Sequence, residues 1–374
     1  MLNMTIPGYI GSGANVKAPK PPKQPRSVKK IIKRSLLVLL LLLIGSGAYF
    51  SIKDIGVIDK VFHGNILSDI EALLHPVKLK GESGGRVNIL LAGDSADQPG
   101  HGGAILTDSI LVLSINTKND TAFLLSIPRD LLVHLPPGNY PGGTWQKINA
   151  ANDMSGFSES GYPHGGMGAL TYVIENDLGI PIDYYGLMDY GAFKDAVNAV
   201  GGVRVDIQSP DPYGLYDPNT NLNLPNGWVS LNGQEALNLA RARGDGPGAY
   251  GFPSSDFDRT EHQRQIFIAV VQKAKTLGFL SNPVKVSDLF NTLGNNFQTN
   301  LSLADVLRLV KITKSMNLSK IQSYAYSATI STTSPNPLLT NYYSVSTGDS
   351  LVPTAGIGNY SQMKAYYEQL TKQH

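Results

Sequence analysis

Thr107-Asp108-Ser109-Ile110-Leu111-Val112-Leu113-Ser114-Ile115-Asn116, followed by Thr121-Ala122-Phe123-Leu124-Leu125-Ser126-Ile127-Pro128-Arg129-Asp130, is the stretch that decides the fold. Two short apolar runs flank a polar turn through Lys118-Asn119-Asp120, which predicts a β-hairpin with strands over Ser109–Asn116 and Thr121–Ile127. An Asp stands at the mouth of the first run, an Arg-Asp pair closes the second, and Lys147-Ile148-Asn149-Ala150-Ala151 follows. Strand ends are where a sheet presents chemistry. Arg, Lys and Asp are also the side chains that hold a phosphate and its metal.

Outward from the hairpin, Val87–Ala92 reads as a further strand, ending in Ala92-Gly93-Asp94-Ser95. Gly165–Leu178 reads as a helix stopped at Gly179, Tyr184–Met188 as a strand, Tyr190–Val200 as a helix closed by Gly201-Gly202, and Val203–Ile207 as a strand. Asn232 is placed to cap a helix over Gly233–Arg243. A Gly/Pro/Ser-rich loop covers 244–255, and a long helix starts at Asp256 or Asp258 and runs through Ala274 with Ile266, Phe267, Val270 and Val271 on its apolar face. Helices over 285–294 and 302–316 and a short strand near Ile321–Tyr326 complete the pattern. Interleaved strands and helices predict an α/β body: a mixed central sheet sandwiched by helices in three layers.

The chain has 374 residues, 42% of them hydrophobic and 16% charged, enough to bury a core. It has no cysteine, which excludes disulfides, thiolate chemistry and Cys-ligated zinc. Its 31 basic and 29 acidic groups are unevenly placed: residues 1–34 hold eight Lys/Arg and no Asp or Glu, leaving 23 basic against 29 acidic groups in the rest. A nucleic-acid-binding body should be basic on at least one face. This body is acidic, so its arginines read as local tools and no nucleic-acid partner is expected.

Residues 35–52 (SLLVLLLLLIGSGAYFSI) carry no charge. As a helix they would span roughly 27 Å, enough for one transmembrane pass. The flanking positive charge is all N-terminal, which predicts a basic, disordered cytoplasmic tail (1–34) and a cell-membrane protein with its body outside the cytoplasm. The rival reading is a cleaved signal peptide; with no A-x-A site after the apolar run, an uncleaved anchor is expected. Residues 53–85 read as a juxtamembrane linker, partly helical around Asn65–Leu74, and the folded domain as 86–374.

Asp94 and Asp108 follow and open neighbouring strands. If those strands pair, the two carboxylates meet at one edge, either as hard oxygen ligands for Mg²⁺ or as turn residues that cap backbone N–H groups. Arg129 and Asp130 are either site residues or a surface ion pair of little energetic weight. Arg241 and Arg243 end a helix, where the dipole favours cations. Arg259, His262 and Gln263 share a helix face by spacings of three and four. Arginine near a helix N-terminus opposes the dipole, a cost that a bound anion between the helices would offset. Arg259 is therefore the residue most readily assigned a function.

Together these segments resemble the LytR-CpsA-Psr family of cell-wall glycopolymer ligases. The resemblance runs from about Val87 to Gln265, on Leu91-Ala92-Gly93-Asp94-Ser95, Thr107-Asp108-Ser109, Ser126-Ile127-Pro128-Arg129-Asp130, Lys147-Ile148-Asn149-Ala150-Ala151, Gly165-Gly166, Leu231 through Arg241 and Arg243, and Asp256-Phe257-Asp258-Arg259-Thr260 with Gln263. It implies a phosphotransferase that moves a glycosyl phosphate from a polyprenyl-pyrophosphate-linked glycopolymer to a peptidoglycan hydroxyl. It also implies that Asp94 and Asp108 hold Mg²⁺, and that Arg129, Lys147, Arg241, Arg243, Arg259 and Gln263 grip the pyrophosphate. Arg129, Asp130 and Arg259 are the implied catalytic set, with Asp130 or a metal-bound carboxylate as base. Leu106 and His262 stand where the family usually has Arg; His262 is counted with the pyrophosphate-binding residues, with Arg264 nearby to assist. Two alternatives use the same site: hydrolysis of a polyprenyl pyrophosphate, and non-catalytic binding of lipid-linked precursor or wall glycan.

Overall fold

The computed structural model describes residues 77–95, 105–138, 143–278, 289–290, 292–313, 316–317, 320–328 and 337–374. The tail, the anchor over 35–52, the helix near Asn65–Leu74 and half of the helix over 285–294 lie outside these residues. Among the described residues no helix is long and apolar enough to cross a membrane.

The strands are β1 (Arg86–Asp94), β2 (Thr107–Asn116), β3 (Thr121–Ser126), β4 (Leu132–Leu135), β5 (Thr144–Lys147), β6 (Tyr184–Met188) and β7 (Val203–Ile207). Then come β8 (Leu215–Asp217), β9 (Leu222–Leu224), β10 (Gly227–Leu231), β11 (Phe297–Thr299), β12 (Gln322–Ala325), β13 (Leu339–Ser344) and β14 (Gly348–Pro353). The helices are α1 (Gly166–Leu178), α2 (Tyr190–Ala199), α3 (Gly233–Arg241), α4 (Asp256–Thr276), α5 (Leu303–Thr313) and α6 (Ser361–Gln373).

The predicted hairpin is present, and it is the centre of a six-stranded sheet in the order β11-β6-β1-β2-β3-β12. β2 runs antiparallel to β1 and β3, while β6 lies parallel to β1 and β12 parallel to β3, so the sheet is mixed. Its central strands are buried on both faces, which explains why they read as continuous apolar runs. Leu90, Ala92, Ile110 and Val112 pack towards α1 and α6. Val87, Ile89, Leu113 and Ile115 face the other way, towards α5. A third cluster joins α2, α3 and α4 with β7 and β10.

Local signals did their work. Gly179 ends α1 in the left-handed region at φ 67°, where a side chain would be strained. Asn232 caps α3 through a capping box with Glu235, satisfying donors at both ends of the first turn. The helix predicted to reach Arg243 stops at Arg241: Ala242 is extended, and the next two amides, of Arg243 and Gly244, donate to the buried carboxylate of Asp217 at 2.9 Å each.

Candidate functional site

The site begins with a bulge. Gly93 pairs with Ser109 and Asp94 with Thr107, so Asp108 is an extra residue on β2 with no partner on β1. Such an insertion re-aims a side chain and frees backbone groups. Here it turns Asp108 into a cavity between the sheet and α2, α3 and α4, and leaves its carbonyl oxygen to accept from Nη2 of Arg259 at 3.2 Å. Asp94, buried, ends β1 one register step away, opposite Thr107, so β1 and β2 do pair and bring the backbones of Asp94 and Asp108 to one strand edge; of the two, Asp108 lines the cavity. Among the described residues there is no group of three or more His or acidic side chains that fits a metal. Asp94 and Asp108 are hard oxygen donors, the ligand chemistry of Mg²⁺, an ion that keeps waters and takes phosphate oxygens to complete its shell.

Around Asp108 the predicted cations converge from distant parts of the chain. Arg129, in the turn after β3, places Nη1 2.5 Å from Oδ1 of Asp108. Lys147, the last residue of β5, is brought beside that turn by pairing with Leu132, and its Nζ lies 2.9 Å from Oδ1 of Asp130. Asp130 thus braces Lys147 and, at 3.6 Å, Nε of Arg129. Arg259 is in the first turns of α4, as predicted, and Arg243 follows α3.

Sequence reasoning missed the group that links them. Oδ1 of Asp256 lies 2.7 Å from Nη2 of Arg259, 3.4 Å from Nε of Arg243 and 3.7 Å from Nε of Arg129. Its signal was the three-residue step to Arg259, read only as the start of a helix. These are ion pairs without hydrogen-bond alignment. The Nε atoms of Arg129, Arg243 and Arg259 and Oδ1 of Asp256 are all buried and have no hydrogen-bond partner among the described residues. Unmatched buried N–H groups on three guanidiniums are what an oxyanion would satisfy. Burial opposes the charge of Arg129, but Asp108, Asp130 and Asp256 outweigh it and hold its pKa above the ordinary value. Burial lowers that of Arg259.

Asp108 and Arg259 also line the cavity, of about 340 Å³, whose other walls are mostly apolar: Leu91 and Leu111 from the sheet, Phe193 and Val197 from α2, Leu237 from α3, and Ile266, Phe267 and Val270 from α4. Arg241 and Gln263 open into it. Arg241 stacks over Tyr190 at 4.8 Å, and Tyr190, whose hydroxyl lies 3.5 Å from Oδ2 of Asp108, is a second residue the sequence did not flag. Burial raises the Tyr190 phenol above its usual pKa, so it stays protonated and donates. Gln263 donates to the carbonyl of Ala240 at 2.9 Å, tying α4 to the last turn of α3.

His262 is not brought to this cluster. It lines a separate cleft beside Glu261, Gln265 and Asp206, with its ring edge-on to Phe252. Burial pushes its imidazole down to about 4, so it is neutral at pH 7 and supplies no cation. A residue three positions after Arg259 falls on the other flank of α4, while Gln263, four positions on, faces the cavity. Arg264 is buried, donates to Ser126 at 2.6 Å and pairs with Glu261, fastening α4 to the end of β3.

A model of the LytR_cpsA_psr family matches residues 65–351. The chain is 31% identical over 303 residues to polyisoprenyl-teichoic acid–peptidoglycan teichoic acid transferase TagV of Bacillus subtilis, covering 79% of this chain and 70% of that protein. It is 29% identical over 312 residues to TagT of the same species, a transferase of the same name, covering 81% and 88%. The crystal structure of B. subtilis TagV superposes with a TM-score of 0.55 at 26% identity, covering 76% of this chain and 96% of that one.

Proposed function

The chain belongs to the LytR_cpsA_psr family, and on that footing we propose that it transfers a glycosyl phosphate from a polyprenyl-pyrophosphate-linked glycopolymer to a peptidoglycan hydroxyl. The observation that carries this reading is the junction of two environments at Asp108 and Arg259: a cluster of cations with unmatched N–H groups on one side, an apolar cavity on the other. A ligand with an anionic head and a long apolar tail fits both.

In this scheme Arg129, Lys147, Arg243 and Arg259 hold the diphosphate, with Arg241 and Gln263 at the cavity mouth. The acceptor oxygen attacks the sugar-side phosphorus, the bond from that phosphorus to the bridging oxygen breaks, and polyprenyl phosphate leaves. Such a reaction depends on in-line positioning and charge neutralisation more than on covalent chemistry. The hydroxyl proton passes to a carboxylate, for which Asp130 and Asp108 flank the arginines. Mg²⁺ held by Asp94 and Asp108 would add positive charge against the phosphate oxygens. A cytoplasmic tail over 1–34, an anchor over 35–52 and a linker over 53–85 belong to the same proposal. They would keep an extracytoplasmic domain, 86–374, at the membrane that supplies its donor.

The test uses the full-length chain with a synthetic polyprenyl-pyrophosphoryl sugar, Mg²⁺ and a peptidoglycan oligomer, read by mass spectrometry. Sugar phosphate attached to the acceptor supports the transferase. Sugar phosphate released into solution would make the protein a hydrolase. Tight binding without turnover would make it a binder of precursor or wall glycan.

A further inference from the structure

Asp256 stands one turn before Arg259 at the start of α4, a favourable place for a carboxylate beside the helix dipole. The dipole does not account for what surrounds it. Its Oδ1 is the meeting point of three guanidiniums from three separate segments: the turn after β3, the residues after α3, and α4 itself. Three cations this close repel one another. Burial pulls the Arg259 pKa down, and Asp256 is the carboxylate that does most to push it back up. Asp256 also does this from a half-buried position, with 18% of its side chain exposed, close enough to the surface to be beside an incoming ligand.

We infer that Asp256 is a positioning residue, which gathers Arg129, Arg243 and Arg259 around one oxygen and sets the spacing at which their Nε–H groups meet a diphosphate. The inference rests on the transferase reading of the same site. It differs from a counter-ion role in its consequence. Removing a mere counter-ion would leave the site more positive and bind anions more tightly with catalysis intact. Removing a positioning group keeps the charge that attracts the anion but loses the geometry, and misplacement by about 1 Å costs on the order of a hundredfold in rate.

The experiment compares the full-length wild type with Asp256→Asn and Asp256→Glu. It measures inorganic pyrophosphate binding by calorimetry, the arginine Nε–H signals by ¹⁵N NMR, and turnover of the polyprenyl-pyrophosphoryl donor. In Asp256→Asn, pyrophosphate should bind no more weakly than to wild type. The Nε–H signals of Arg129, Arg243 and Arg259 should all move, and kcat should fall about a hundredfold with KM unchanged or lower. Asp256→Glu should recover part of kcat. Unmoved signals, or a kcat within about twofold of wild type, overturn the inference. So does a fall in kcat matched by loss of pyrophosphate binding and of Tm, which marks a purely structural role. If the wild type binds pyrophosphate but never turns over the donor, the transferase reading fails, and the arginine signals alone still decide the role of Asp256.

Discussion

Arg259 donates to the backbone carbonyl of Asp108, the residue that the β1–β2 bulge leaves without a strand partner. A helix is thereby pinned to the sheet at the point where the sheet's pairing lapses, and site and fold share one contact. Arg259→Ala should therefore do two things. Turnover should fall by about 10²- to 10³-fold, since one charge-stabilising group is removed. Stability should fall by about 1–3 kcal/mol, since the Asp108 carbonyl and Asp256 lose a partner. Arg259→Lys should restore much of the stability and little of the rate, because an ammonium lacks the guanidinium fork. Denaturant melts alongside the transfer assay check both.

If Asp94 and Asp108 hold Mg²⁺, activity should vanish in chelator and return with added Mg²⁺. Asp94→Asn should then raise the Mg²⁺ needed for half-maximal rate by at least about tenfold. Asp108→Asn should do the same and also weaken pyrophosphate binding, because the Asp108 carboxylate holds Arg129. Full activity of the wild type in chelator would remove the metal from the scheme.

Asp217 does not line the cavity but should matter for Arg243. Its buried carboxylate accepts from the amides of Arg243, Gly244 and Asn219, each at 2.9 Å. Asp217→Ala leaves these amides unmatched and should cost about 2–3 kcal/mol. With the loop after α3 loosened, KM for the donor should rise by about tenfold, through misplacement of Arg243. Calorimetric Tm and steady-state kinetics on the same preparation test the pair of effects.

The His262 imidazole titrates at about 4 in the folded chain, below the ordinary value of 6.5. Between those two values the unfolded chain binds the proton and the folded chain does not, so stability should rise with pH from about 4 to 6.5 and be flat for this group above that. The slope it contributes should not exceed about 1.4 kcal/mol per pH unit. His262→Gln should abolish that slope and leave turnover at pH 7 within about twofold, since the neutral ring is outside the cation cluster. Urea melts from pH 4.5 to 7.5 and the transfer assay decide it; a large loss of turnover would return His262 to the site.

The central sheet was legible because buried strands announce themselves as apolar runs, and helix ends because Gly179 and Asn232 carry their own local chemistry. Helix α6 was legible but overlooked: Met363, Tyr367 and Leu370, all buried, stand at the spacing of one helical face. The β4–β5 and β13–β14 pairs are short, and their pairing depends on neighbours the sequence does not name. Within the site, each Arg or Asp could be read in its own segment. The convergence of Arg129, Arg243 and Arg259 on Asp256 could not, because it joins three segments only through the tertiary fold. His262 marks the limit of periodicity: steps of three and four both pass as one face on paper, and packing separates them.

Helix α4 bears Arg259 near its start and Ile266, Phe267 and Val270 along the cavity wall. One rigid rod thus carries both the polar grip and the apolar wall, and from Arg259 to Val270 it measures roughly 16 Å along its axis. It acts as a ruler. A ligand engages both ends only if its charged and oily parts are spaced to match, so free diphosphate and free lipid each read only half of the scale.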